Sequence, residues 1–132
     1  MSYSKKAKDI MLRKAAENFA SAKDDYKAGR YDRCISSLYY SAFQTVTSLL
    51  IVRGELLRKH TQVRAFVNRD LANVGLIDRS LARMYNKLMN FRDAADYSSD
   101  ISGDKEVAKE LLQGVEFFNN TIIKLIDKES HG

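Results

Sequence analysis

The chain is predicted to be all-α: an up-and-down antiparallel bundle of four long helices plus one short helix. Two observations predict this. Among 132 residues there is no proline and only six glycines, too few chain breakers for the tight turns of a strand-rich sandwich. Apolar residues also recur at three- and four-residue intervals along five stretches, the spacing of helices with one buried stripe. With 45% hydrophobic and 30% charged residues, the chain can enclose a core as one domain covering 1–132.

The first helix is expected from about Ser4 to Ala28, with Leu12, Ala15, Ala16, Phe19, Ala22 and Tyr26 on its stripe. Gly29 is placed to end it in a left-handed cap. Asp32 is expected to cap the second helix, which reaches about Arg53 before Gly54 ends it. Its stripe is Ile35, Leu38, Tyr39, Ala42, Phe43, Val46, Leu49 and Leu50. After the basic connection GELLRKH, Thr61 is expected to cap a short third helix through Val63, Phe66, Val67 and Leu71, stopping near Gly75. Asp78 is expected to cap a fourth, with Leu81, Met84, Tyr85, Leu88, Phe91 and Ala95 inward. A polar loop, SSDISGD, follows. Asp104 then caps a last helix whose Ala108, Leu111, Val115, Phe118, Ile122 and Leu125 alternate at four and three, as near-parallel bundle crossings require. No internal repeat is present. GRYDRC resembles the turn of a tetratricopeptide hairpin, but no second unit follows it.

From Cys34 to Val52 there are 19 residues without a charge, about the length of a membrane span. Ser36, Ser37, Ser41, Gln44, Thr45, Thr47 and Ser48 make it too polar to span alone. A buried helix is expected instead, whose small polar face lets another helix approach closely, and no membrane association. Cys34 is the single cysteine, which excludes an internal disulfide and a cysteine zinc cluster and points to a cytoplasmic setting. The start, MSYSKKAKDIML, is basic but lacks the apolar run of a secretory signal.

The net charge of +5 is unevenly spread. Arg53, Arg58, Lys59, Arg64, Arg69, Arg79, Arg83, Lys87 and Arg92 face only Glu55, Asp70 and Asp78 across that window, so it carries +6 and the remainder −1. Localised positive charge suits a phosphate backbone or an acidic partner, although exposed helices commonly carry such residues. Arg53, Arg58, Lys59, Arg64, Arg83 and Lys87 are the candidate RNA-binding set.

Enzyme signatures are scarce. There is no P-loop, Gly-rich dinucleotide turn, GxSxG elbow or Glu-x-x-His pair, and two histidines with one cysteine leave little for zinc. No metal and no cofactor are expected. The informative residue is Arg92, which lies four after Leu88 and seven after Tyr85, on the apolar stripe of its helix. An unpaired guanidinium in such a seam costs on the order of several kcal/mol. Arg92 is therefore expected to be largely buried and bonded, to Asp96 one turn on or to a group of a second subunit. Either it closes a structural ion pair at a helix end, or it faces a polar pocket. His60, between basic residues, is the one histidine inside the domain; it is an exposed loop residue or a proton carrier. Tyr39 lies on the core stripe of its helix, whereas Tyr40 is turned off it toward a groove or subunit contact. Tyr97 closes the fourth helix and offers a phenol beside Arg92 and Asp96.

Three runs together, RYDRCISSLYYSAFQTVTSLL, RKHTQVRAF and NFRDAADYS, resemble the HEPN domain superfamily, in its small single-domain prokaryotic branch. The match rests on the YYSAF segment, the KH pair before the third helix and the R-x-x-A-D-Y ending of the fourth, and covers roughly Ile10 to Ile126. The resemblance implies an up-and-down bundle, commonly a homodimer through the second and fourth helices. It also implies metal-independent ribonuclease activity in many members, and toxins encoded beside a nucleotidyltransferase antitoxin. The family's nuclease motif is an arginine and, after a gap of four to six residues, a histidine. Arg92 matches the arginine, but positions 97 to 99 are Tyr97, Ser98 and Ser99. Either Tyr97 and His60 take the place of the histidine, with Asp96 orienting Arg92, or the chain is a non-catalytic module that binds RNA, a nucleotide or a nucleotidyltransferase partner.

Overall fold

The computed structural model describes residues 3–56, 59–97 and 103–131, the side chains of 94–97 excepted. The helices are α1 (Lys5–Lys27), α2 (Tyr31–Val52), α3 (His60–Ala65), α4 (Arg79–Tyr97) and α5 (Lys105–Ser130), with α3 running on into a π-helical stretch over Phe66–Ala72. No strand occurs among the described residues. The chain is thus the all-α bundle that its periodicity predicts. Helix α2 is central, with α1, α4 and α5 all packed on it.

Local chemistry sets most boundaries. Ser4 Oγ accepts from the Ala7 N–H at 3.0 Å, and Asp104 Oδ1 from the Val107 N–H at 2.9 Å, each satisfying a first-turn donor. Asp78 accepts from the Ser80 N–H at 2.8 Å, and this bond leads in holding its carboxyl below the ordinary value. Gly29 and Gly54 adopt φ of 79° and 74°, which a side chain would oppose. Two expected caps are corrected. Helix α2 starts at Tyr31, ahead of Asp32, because Arg30 is fixed by its N–H to the Asp25 carbonyl (2.8 Å) and its guanidinium to the Asp25 carboxylate (2.7 Å). Asp32 instead accepts from the Gly103 N–H at 2.8 Å, tying the approach to α5 onto α2. Helix α3 starts at His60 and not after Thr61, with Gln62 Oε1 accepting from the Lys59 N–H at 3.4 Å. It then widens into the π-helical stretch. There Asn68 and Asn86 exchange amide bonds of 2.9 and 3.0 Å, pinning that stretch to α4 while Phe66, Val67 and Leu71 enter the core.

The long uncharged helix behaves as a core element. By length and hydropathy α2 resembles a membrane span, yet eleven of its residues are buried within the bundle. Its small polar face, Ser41, Thr45 and Ser48, is fully buried. Ser41 Oγ donates to the Ala15 carbonyl at 2.7 Å and Ser48 Oγ to the Lys8 carbonyl at 3.2 Å, so the face that permits close approach is occupied by α1. That face is not open to a second subunit. The opposite faces of α2 meet the apolar stripes of α4 and α5, where Tyr39, Tyr85 and Phe118 stack in sequence at 5.9 and 5.6 Å between ring centroids. Cys34 is buried in the same core, and burial, with Asp25 adding to it, pushes its thiol up to about 11, an unreactive state.

Arg53 ends α2 and binds Glu129 of α5 through two bonds, 2.8 and 2.9 Å, while its guanidinium lies 5.4 Å from the Phe66 ring centroid. The pair is about a quarter exposed on each side, which reduces its worth. Arg53→Ala should lower stability by roughly 1–2 kcal/mol. Phe118→Ala should cost about 3–5 kcal/mol, since it opens a cavity beside Tyr85. Urea unfolding followed by circular dichroism measures both.

Candidate functional site

Helix α2 presents Tyr39, Tyr40 and Phe43 near its middle. Tyr39 is fully buried, and Tyr40 and Phe43 are half-buried. The first residue of α3, His60, lays its ring on this group. It is nearly parallel to Phe43 at 4.5 Å (15°), stacked with Tyr39 at 5.5 Å (23°) and edge-on to Tyr40 at 6.2 Å (85°). The Tyr39 hydroxyl and His60 Nδ1 are 2.5 Å apart, a short hydrogen bond. His60 is therefore not a free loop residue. It is a half-buried ring held in place by three aromatic neighbours.

Arg92 enters the same group from α4. Its side chain is only 20% exposed. Its Nη2 donates to the Tyr40 hydroxyl at 3.0 Å and its Nη1 to Asp93 at 3.3 Å. Its guanidinium carbon sits 5.4 Å from the Tyr39 ring centroid and 5.5 Å from that of Tyr40, within the range of cation–π attraction. Arg92 is mostly buried and bonded as expected, and its partners among the described side chains are Tyr40 and Asp93, neither of them the Asp96 or second subunit expected. Tyr40 and Asp93 are partners that helical spacing did not nominate, because one comes from another helix and the other is the next residue. The side chains of Asp96 and Tyr97 lie outside the described residues. What the structure brings together, from three helices, is His60, Arg92 and the two tyrosines that both of them touch.

The electrostatics of the group follow from its burial and from one cation. Burial lowers the pKa of His60 below its ordinary value and the Arg92 charge lowers it further, against a smaller opposing effect of Asp93. Burial raises Tyr39, with smaller effects from Tyr85 and Arg92 in the opposite direction. Near neutral pH, His60 is thus uncharged and Tyr39 keeps its proton. The buried Tyr85 hydroxyl perturbs Tyr39 without a hydrogen bond of ordinary geometry to any described group.

The candidate RNA-binding residues separate into classes. Lys59 and Arg83 are exposed, and Arg64 is half-buried one turn beyond His60 on α3. Lys87 reaches Glu110 at 3.2 Å in an exposed pair, and Arg53 is held by Glu129. Arg58 lies outside the described residues. Among the described residues no three His, Cys, Asp or Glu side chains converge as metal ligands would. A concavity of about 290 Å³ between α1 and α5 is lined by Leu12, Ala15, Phe19 and Asn119, among others, and includes no residue of the Arg92 group.

Because Arg92 depresses the pKa of His60, Arg92→Gln should raise it toward the ordinary value of 6.5. An NMR titration of the ring protons, with Tyr40→Phe as a control that keeps the cation, reads the change.

Comparison with known proteins agrees with this architecture. The HEPN domain matches residues 9–126. A UPF0332 protein of Thermotoga maritima is 29% identical over 127 residues, covering 96% of each chain. The protein named "Putative toxin MJ0142" of Methanocaldococcus jannaschii is 30% identical over 125 residues, covering 94% of this chain and 85% of that one. A second protein of that organism, named "Putative toxin MJ0605", is 28% identical over 112 residues, covering 85% of this chain and 83% of its own. By the extent of the domain match, the chain belongs to the HEPN domain family.

Proposed function

We propose that this protein is a toxin-like HEPN module that acts on RNA as a metal-independent endoribonuclease. One observation carries the reading: His60 and Arg92, far apart in sequence, are held against the same two tyrosine rings. This reading gives His60, from another helix, the part of the histidine that the sequence lacks after Arg92. The toxin part rests on the names of two relatives.

The chemistry asks little more. In cleavage by the neighbouring hydroxyl, the 2′-oxygen bonds to phosphorus, the bond to the 5′-oxygen breaks, the 2′ proton leaves and the 5′-oxygen takes one up. The products are a 2′,3′-cyclic phosphate and a 5′-hydroxyl, and solvent water can exchange both protons. Arg92 supplies a fixed cation, partly removed from water, for the charge that develops at phosphorus. His60 is the group's one imidazole, a ring that can donate or accept a hydrogen bond at the scissile phosphate. Lys59, Arg64, Arg83 and Lys87 contribute phosphate contacts at longer range. The half-buried Tyr40, Phe43 and Phe91 leave an aromatic edge beside Arg92 on α2 and α4 for a second copy of the chain, which would bring two such groups together. A nucleotidyltransferase antitoxin belongs to the same proposal.

The absence of a histidine at positions 97 to 99 supports a second reading, a non-catalytic module that binds RNA, a nucleotide or a partner. Assays of purified protein on a broad RNA panel, with and without EDTA, decide between them. Cleavage that persists in EDTA and falls by about 100-fold or more in Arg92→Ala and in His60→Ala is the expected result. Arg64→Ala and Lys87→Ala should instead weaken binding and flatten its dependence on salt. Binding without cleavage by the wild type would favour the module. For the dimer, light scattering should give twice the chain mass of 15.1 kDa at micromolar concentration.

A further inference from the structure

We propose that Tyr39 fixes His60 as the Nε2–H tautomer, so that His60 meets an RNA phosphate as a hydrogen-bond donor and not as the base that takes the 2′ proton. The phosphate half of this inference rests on the ribonuclease reading above; the tautomer half does not.

The assignment follows from counting protons. The Tyr39 hydroxyl is fully buried, and its hydrogen-bond partner among the described residues is His60 Nδ1. If Nδ1–H donated to Tyr39, the phenolic proton of Tyr39 would need another acceptor. The hydroxyl that perturbs Tyr39 is that of Tyr85, itself buried and without a partner among the described residues. In that arrangement one of the two phenols keeps a buried O–H with no acceptor among the described residues, which is unfavourable. If Tyr39 donates to Nδ1, its own proton is placed and its oxygen stays open toward the Tyr85 hydroxyl. Phe43 and Tyr39 stack on the imidazole and resist the ring flip that would exchange its nitrogens.

The ionisable groups facing His60 favour the same state. Tyr39 and Tyr40 come from α2, Arg92 and Asp93 from α4, and the cation outweighs the carboxylate in its effect on the ring. Neutral His60 then carries its proton on Nε2. On protonation Nδ1 also gains a hydrogen, and Tyr39 turns to accept it. In both states Nε2 presents N–H, which suits a phosphate oxygen and cannot remove the 2′ proton. Water takes that proton. Tyr39 acts here as a positioning residue, through His60.

Long-range proton–nitrogen NMR correlation reads the tautomer directly in the protein without RNA, with His131→Asn used to remove the second histidine signal. Above neutral pH the wild type should show the pattern of a protonated Nε2 and a bare, hydrogen-bonded Nδ1. Tyr39→Phe keeps the ring in the core and should admit the Nδ1–H form. A thermal melt checks that this variant remains folded. A wild-type pattern with hydrogen on Nδ1 overturns the inference, as does an unchanged pattern in Tyr39→Phe.

Cleavage supplies a separate readout. If His60 is a donor, the wild-type rate should not fall as pH drops through the lowered pKa of His60, whereas a histidine base would be lost there. Tyr39→Phe should slow cleavage on the order of tenfold, with little change in RNA affinity. A rate that declines at low pH with the ionisation of His60 overturns the donor role. Absence of cleavage with the Nε2–H pattern intact overturns the ribonuclease reading and the phosphate half together, while the tautomer assignment stands.

Discussion

The hydroxyl of Tyr39 is a polar atom in an apolar core, and it needs a partner that burial does not otherwise provide. His60 Nδ1 meets that need, and the geometry of the site follows from it. To reach the hydroxyl, the start of α3 must lie over the aromatic middle of α2. That position places the His60 ring on Phe43 and Tyr39 and sets it beside the guanidinium that α4 delivers. The same tyrosine ring lies under the Arg92 charge. One buried phenol thus connects core packing, the protonation of an imidazole and the surroundings of a cation.

Helix α2 can serve the site because its faces are chemically distinct. Ser41 and Ser48 let α1 come close enough to accept side-chain bonds on its main chain, which spares α2 any bulky residues on that side. Leu38, Ala42, Val46 and Leu49 fill the space toward the other long helices. The aromatic residues are then grouped where α3 and α4 meet α2. This division explains how a stretch with the hydropathy of a membrane span serves as the hub of a bundle: its polar groups bond inward to protein and its apolar groups face protein on the remaining sides.

Periodicity made the helices, their order and most of the core legible, since a buried stripe at 3.6-residue spacing leaves few alternatives. Asp78 and Asp104 were also readable as caps, because each needs only a short polar side chain before an apolar run. Asp32 and Thr61 were not, although they look alike in sequence. The start of α2 is set by the Arg30–Asp25 contacts, and the start of α3 by Gln62 folding back on Lys59 and by the pull of Tyr39 on His60. The widening of α3 into a π-helical stretch left no mark in spacing either, being tied to the pairing of Asn68 with Asn86 on another helix. For the site, the anomaly of a cation on an apolar stripe pointed to Arg92. Its partner Tyr40, 52 positions away, could not be read from neighbours on one helix, and the same holds for the contact between His60 and Tyr39, 21 positions apart.

That separation has a consequence for how the site behaves. An arginine and a histidine within two turns of one helix keep their relation wherever that helix forms. Here the two side chains belong to different helices, and their relation is maintained by rings on a third. Anything that lets α3 lift from α2 removes His60 from Arg92 while leaving each helix intact. The anchoring of α3 then matters as much to the arrangement of the group as its polar side chains do. Its anchors are Val63 and Phe66 in the core, the Asn68–Asn86 amide pair and the Tyr39 hydrogen bond. All of these are contacts within the bundle, so the relation of His60 to Arg92 is set by packing between helices and not by either helix alone.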